Sequence, residues 1–127
     1  MGFNMLTNTD DDAFTIALAA SATTDGIDIT ITARDAAVQN FEFWVSEAAT
    51  GAGLTADSAS GTLTASTGAI LTALTAKKHV IAQTNASGSC VMTLVDSANP
   101  TDQYFCIATA GGKAIVSAAS GTNWEGA

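Results

Sequence analysis

Hydrophobic residues recur at every second position in several short stretches of this chain, the period of a strand that buries one face and wets the other. In "GIDITITAR", Ile27, Ile29 and Ile31 fall on one side and Asp28, Thr30 and Thr32 on the other. "NFEFWVSE" repeats the pattern, with Phe41, Phe43 and Val45 set against Glu42, Trp44 and Ser46. Phenylalanine and valine against glutamate and serine define the buried side. Trp44 is therefore expected on the outer face, partly covered by a neighbouring loop, with a role in binding as the alternative.

Around these two strands the pattern is weaker. "AFTIALAAS" predicts a first strand diluted by alanine. Between Ala48 and Gly68 the chain is small and polar, which predicts loops around a short strand near Leu63, with Leu54 as an apolar anchor. "AILTALTAKKHVIAQT" carries two patterns at once. Ile70, Leu71 and Leu74 fit one helical turn, whereas Val80, Ala82 and Thr84 alternate, and the expectation is a strand over 78–84 with a second strand ahead of it as an option. "SCVMTLVD" and "QYFCIAT", on either side of the turn residues "SANPTD", predict a hairpin over 89–109, and "KAIVSA" follows the Gly111–Gly112 pair as a last strand. Seven or eight short strands with turn signals about every ten residues and no long amphipathic helix predict an all-β, antiparallel, immunoglobulin-like β-sandwich; a closed barrel is the second architecture.

A length of 127 residues fits one domain able to bury its own core. The expected division is a flexible acidic arm over 1–12, the sandwich over 13–119 and a C-terminal tail over 120–127. Twelve acidic against four basic residues give a formal net charge of −8. The basic residues Arg34, Lys77, Lys78 and Lys113 form no stripe along a phosphate backbone, so nucleic acid is not an expected partner. No apolar run is long enough to span a bilayer, so no membrane is expected either. The N-terminal residues lack the basic start and apolar stretch of a signal peptide, which predicts synthesis in the cytoplasm of the producing cell.

The chemistry-bearing residues are few. If the 89–109 hairpin is centred on its proline turn, Cys90 lies opposite Cys106. Reduced, buried thiols are the expectation and a disulfide the alternative. His79 in "KKHVI" is the lone histidine, expected as a solvated strand residue, and neither a zinc site nor a cysteine–histidine nucleophile has its remaining parts in view. No "GxSxG" elbow occurs, and the glycine pairs are turn residues rather than a phosphate cradle. No cofactor, no metal and no enzymatic activity are expected. Asp10, Asp11 and Asp12 are the densest charge cluster but lack the alternating ligands of a calcium loop, so they are expected as an acidic arm that is mobile or orders on a partner. Trp124, in a glycine-flanked tail, either folds back on the sandwich or anchors the tail to another subunit.

Over residues 82–96, "AQTNASGSCVMTLVD", and 104–118, "YFCIATAGGKAIVSA", the chain resembles the end of a bacterial immunoglobulin-like module, in which a "TDxxG" turn leads into paired final strands. Asn85 stands where that pattern carries aspartate. The middle of the chain, residues 31–88, is similar to small immunoglobulin-like structural proteins of tailed phages, including those that decorate or cement the capsid. Together the stretches cover most of residues 25–118. The resemblance implies a non-enzymatic virion component on the outer surface of the head, bound to the major capsid protein, bridging capsid subunits and self-associating there. A phage tail or fibre component, or a host-surface glycan-binding module, is the alternative; a bacterial adhesin and an enzyme stand further off. The candidate interface residues are Asp10, Asp11, Asp12, Trp44, Leu54 and Trp124, with the small-residue loop from Gly51 to Gly61.

Overall fold

The computed structural model describes residues 13–109 and 111–127. They form nine strands: β1 (Phe14–Ala20), β2 (Gly26–Ala33), β3 (Asn40–Ser46), β4 (Leu63–Thr67), β5 (Ala69–Thr75), β6 (His79–Gln83), β7 (Ser89–Val95), β8 (Tyr104–Ala108) and β9 (Ala114–Val116). Two sheets face each other, one ordered β1-β2-β7-β4 and the other β5-β6-β3-β8-β9, with every neighbouring pair antiparallel. The protein is an all-β antiparallel sandwich, and no helix forms among the described residues.

The period-two stretches supply the core. Ile27, Ile29 and Ile31 of β2 are fully buried beside Cys90, Met92 and Leu94 of β7. Across from them lie Phe41, Phe43 and Val45 of β3, Val80 and Ala82 of β6, and Phe105 and Ile107 of β8. Isoleucine and valine suit these positions because their branched Cβ is restricted in the way an extended backbone prefers. The Phe43 and Phe105 rings stack with centroids 6.1 Å apart, and Phe14 meets Phe41 at 5.4 Å.

Four strands make one sheet and five the other, and the chain does not visit them in simple succession. From β3 the chain crosses first to β4 on the opposite sheet, then returns at the far edge as β5 and runs inward as β6. Gly68 alone separates β4 from β5 and switches the chain between sheets. Its φ is +72°, and a Cβ there would stand 2.4 Å from the Gln83 carbonyl oxygen and 3.2 Å from Cys90. Only glycine fits that corner.

One expectation from the sequence is corrected. β7 and β8 are not a hairpin: each is an interior strand, β7 between β2 and β4, β8 between β3 and β9, and residues 96–103 carry the chain from one sheet to the other. A strand buried on both sides needs a hydrogen-bonding neighbour on each edge, and the alternation of apolar residues alone does not say which strand that is. Cys90 consequently pairs in register with Ile31 and faces the core, while Cys106 pairs with Trp44 and Val116 on the other sheet. Both thiols are free and buried.

Residues 120–127 fold back on the sandwich, one of the two outcomes expected for the C-terminal tail and its Trp124. Trp124 is 1% exposed, and its Nε1–H donates to the Pro100 carbonyl at 2.7 Å. Ser120 Oγ donates to the same carbonyl at 2.7 Å and accepts from the Gln103 amide at 3.0 Å. The Glu125 amide donates to the Gly26 carbonyl, and the Glu125 carboxylate accepts from the Asp25 amide. The segment plugs the end of the sandwich where the β1–β2 turn and the β7–β8 link meet, so Trp124 serves the core and is not available to another subunit.

Candidate functional site

Pairing register builds a row of side chains straight across the outer face of the five-stranded sheet. His79 of β6, Trp44 of β3, Cys106 of β8 and Val116 of β9 are successive cross-strand partners. Trp44 sits at the centre of this row because the alternation in β3 sends Phe43 and Val45 inward.

The long β3–β4 connection folds back over part of the row. The Trp44 Nε1–H donates to the Gly51 carbonyl at 2.8 Å, and Ser46 Oγ donates to the Ala52 carbonyl at 3.0 Å. The Glu47 carboxylate accepts from Thr55 Oγ1 at 2.8 Å and from the Ala56 amide at 3.0 Å, tying the loop to its own root. Lys77 Nζ donates to the Ala59 carbonyl and Lys78 Nζ to that of Ala56. Gly51, at φ +81°, presses close enough that a Cβ would lie 3.2–3.3 Å from Val116, Ala114 and the Cys106 sulfur. Cys106 is sealed beneath it. Desolvation by burial pushes its pKa up to about 12, and burial pushes Cys90 up to about 11 against a smaller opposing effect from a backbone hydrogen bond. Neither thiol is poised as a nucleophile near neutral pH.

Where the loop stops, an open pocket of about 310 Å³ remains. Trp44, Leu54 and Ala108 give it apolar walls, the Gly51 and Gly53 backbone forms one rim, and Glu42 with His79 forms the other. His79 Nε2 and Glu42 Oε2 are 2.5 Å apart, with the two side chains 23% and 42% exposed. The pair is diagonal across the β3–β6 ladder, since Glu42 stands opposite Ile81 and His79 opposite Trp44. A second pocket of about 250 Å³ opens beside Glu42 and Ala108 towards Phe14 and Phe41.

No protein-family model, curated protein or solved structure matches this chain. The functional reading therefore rests on the site and on the sequence resemblance. Of the candidate residues, Trp44 and Leu54 are brought together in the first pocket. Trp124 is buried elsewhere, and Asp10, Asp11 and Asp12 lie outside the described residues. Among the described residues no group of three or more His, Cys, Asp or Glu is placed to hold a metal ion.

His79, expected to be merely solvated, proves to be partnered with Glu42 and part of the pocket. Their separation of thirty-seven positions hid the pair in the sequence. His79 and Cys106 flank Trp44 from opposite sides, so the tryptophan strand separates imidazole from thiol. What the arrangement offers is a recess with an apolar floor and one hydrogen-bonding edge, suited to holding a side chain or ring that has both characters.

Two further apolar side chains belong to the same sheet and were named in the sequence only as part of a possible helical turn. Leu71 and Leu74 of β5 are 48% and 56% exposed, and with Leu54 and Val38 they are the exposed large hydrophobics of the described residues. β5 is an edge strand with two irregularities in its register: Ile70 pairs with Ala82 and Thr72 with Ile81, then Ala73 with Val80 and Thr75 with His79. The residues skipped by the ladder are the two leucines.

Proposed function

We propose that this protein is a capsid decoration, or cement, protein: a non-enzymatic virion component that binds the outer surface of a tailed-phage head and bridges subunits of the major capsid protein. The observation that carries the reading is an exposed apolar side chain held over the outer face of one sheet, Leu54 beside Trp44 at the mouth of an open recess. A protein that acts by covering seams needs such a contact face on a rigid support more than it needs a reactive centre. The resemblance of residues 25–118 to immunoglobulin-like phage proteins gives that face its partner. In this reading the Trp44–Leu54 recess receives a side chain of the capsid protein, and many weak attachments around the shell act together.

Cryo-electron microscopy of the phage particle that carries the gene tests the proposal. Density for the sandwich across capsid seams, with the five-stranded sheet towards the shell, supports it. Absence of the sandwich from the head overturns it.

The second reading, a tail or fibre module that binds host glycan, draws on the same pocket. An indole beside a carboxylate and an imidazole offers a stacking surface and hydrogen-bonding groups to a sugar ring. Glycan-array binding that is lost in Trp44→Ala, together with density confined to the tail, would favour it.

A further inference from the structure

The sequence of β5 contains a repeated triplet, Ile70-Leu71-Thr72 and Ala73-Leu74-Thr75. In each, the first residue stands opposite a buried residue of β6, Ala82 or Val80, and the third opposite a half-buried one, Ile81 or His79. The leucine between them is the extra residue of a bulge. Two bulges three residues apart thus replace the strand period of two by a period of three. Both leucines take the same position relative to the ladder, at the free edge of the sheet, and are about half exposed.

The surroundings say what this edge can meet. From Ser58 to Ala76 the chain carries no charged residue, and Lys77 and Lys78, two of only four basic residues, follow directly. A second copy approaching a chain of net charge −8 meets little like-charge repulsion along β4 and β5, where no acidic residue stands. The triplets are also self-complementary. When two copies of β5 lie antiparallel about a point between Thr72 and Ala73, Leu71 of each copy comes opposite Leu74 of the other, and the contact closes on itself with two-fold symmetry.

We propose that β5 is a homodimerisation edge, in which the bulged leucines of two copies interlock about a two-fold axis. The bulges set the leucines apart from the regular ladder and keep the edge from templating an open-ended sheet, which favours a closed pair over continued addition. The inference does not rest on the virion reading: the dimer is a property of the purified chain, whereas the recess at Trp44 and Leu54 is the face assigned to the capsid.

Sedimentation equilibrium of the full-length chain over a concentration series tests it. The expected result is a rise from the 12.7 kDa monomer to twice that mass and no further. Added salt should strengthen the association by screening the repulsion between acidic copies. Leu71→Lys and Leu74→Lys should each weaken it at least tenfold, while Val38→Lys, a substitution at a comparably exposed residue outside β5, should leave it unchanged. Circular dichroism of each variant verifies the fold. A wild-type chain that stays monomeric at every concentration and salt overturns the proposal, as does a dimer unaffected by either lysine. Head binding without dimerisation would leave the capsid reading standing and remove this one.

Discussion

Replacing Trp124 by alanine tests whether the last residues are part of the domain. The side chain is 1% exposed and plugs one end of the sandwich. Burying a tryptophan removes on the order of 200 Å² from water, worth about 5 kcal/mol at roughly 25 cal/mol per Å². Measured truncations of large aromatics to alanine cost about 3–5 kcal/mol, because the surroundings relax into part of the space. The lost hydrogen bond adds little, since the Pro100 carbonyl keeps its second donor in Ser120 Oγ at 2.7 Å. We therefore expect a loss of about 4 kcal/mol for Trp124→Ala. Trp124→Phe retains most of the apolar contact and should lose about 1–2 kcal/mol.

Urea unfolding followed by far-ultraviolet circular dichroism is the assay, because fluorescence would lose one of the two tryptophans it depends on. With a slope of about 2 kcal/mol per molar, the alanine variant should unfold at a urea concentration lower by about 2 M with the slope unchanged. Deleting residues 120–127 should cost at least as much, since it also removes the bonds from Glu125 to Gly26 and to Asp25. A midpoint for Trp124→Ala within about 0.5 M of wild type would refute the argument, because burial of that area without a stability cost contradicts its premise.

Gly68→Ala should cost about 2–4 kcal/mol in the same assay, from a left-handed φ and a Cβ aimed at a backbone oxygen that cannot turn aside. Native protein at pH 8 should resist alkylation at Cys90 and Cys106, whose pKa values are about 11 and about 12, while denatured protein reacts fully; rapid native labelling would contradict the burial. Because folding raises both thiol pKa values, the unfolded chain holds fewer protons above pH 9. Stability should fall from there to about pH 11 through Cys90 and to about pH 12 through Cys106, and more gently in Cys106→Ala, as pH-dependent unfolding curves would show. Leu54→Lys should leave the melting curve within about 0.5 kcal/mol of wild type but weaken binding to purified heads in a co-sedimentation assay, whereas Thr32→Lys, on the other sheet, should change neither.

Most of the strands could be located from alternation alone, since β2, β3 and β7 each bury one clean face. Their partners could not. A strand's period tells which residues face inward and nothing about which strand lies alongside, so β7 and β8 looked like a hairpin although they belong to opposite sheets. β5 misled for a more local reason. Leu71 and Leu74 stand three apart, the spacing of a helical face, because two bulges stretch the strand's repeat from two to three. At the site, Trp44 was legible as an outward residue between inward ones, and Leu54 as an isolated leucine in a polar loop. The Glu42–His79 pair was not, since it exists only once β3 and β6 are aligned.

The two outer faces of the sandwich are made of different material, and the difference follows from register. On the four-stranded sheet, Ala19, Asp28, Thr93 and Thr64 form one row and Ala17, Thr30, Val91 and Thr67 another. Thr93 Oγ1 donates to Asp28 at 2.7 Å, so the face is largely hydroxyls, methyl groups and a satisfied carboxylate that water covers at little cost. On the five-stranded sheet the central row holds an indole, a thiol and a valine, and the chain devotes the 47–62 connection to covering the thiol and valine while leaving the indole at a recess. A loop that only shielded apolar surface would have no reason to present Leu54, 44% exposed, at the mouth of that recess. Leaving part of an apolar side chain in water there costs solubility. The cost is offset when the recess and the leucine are buried together against another protein, which is why the five-stranded sheet, and not its threonine-coated counterpart, is the face we propose to dock.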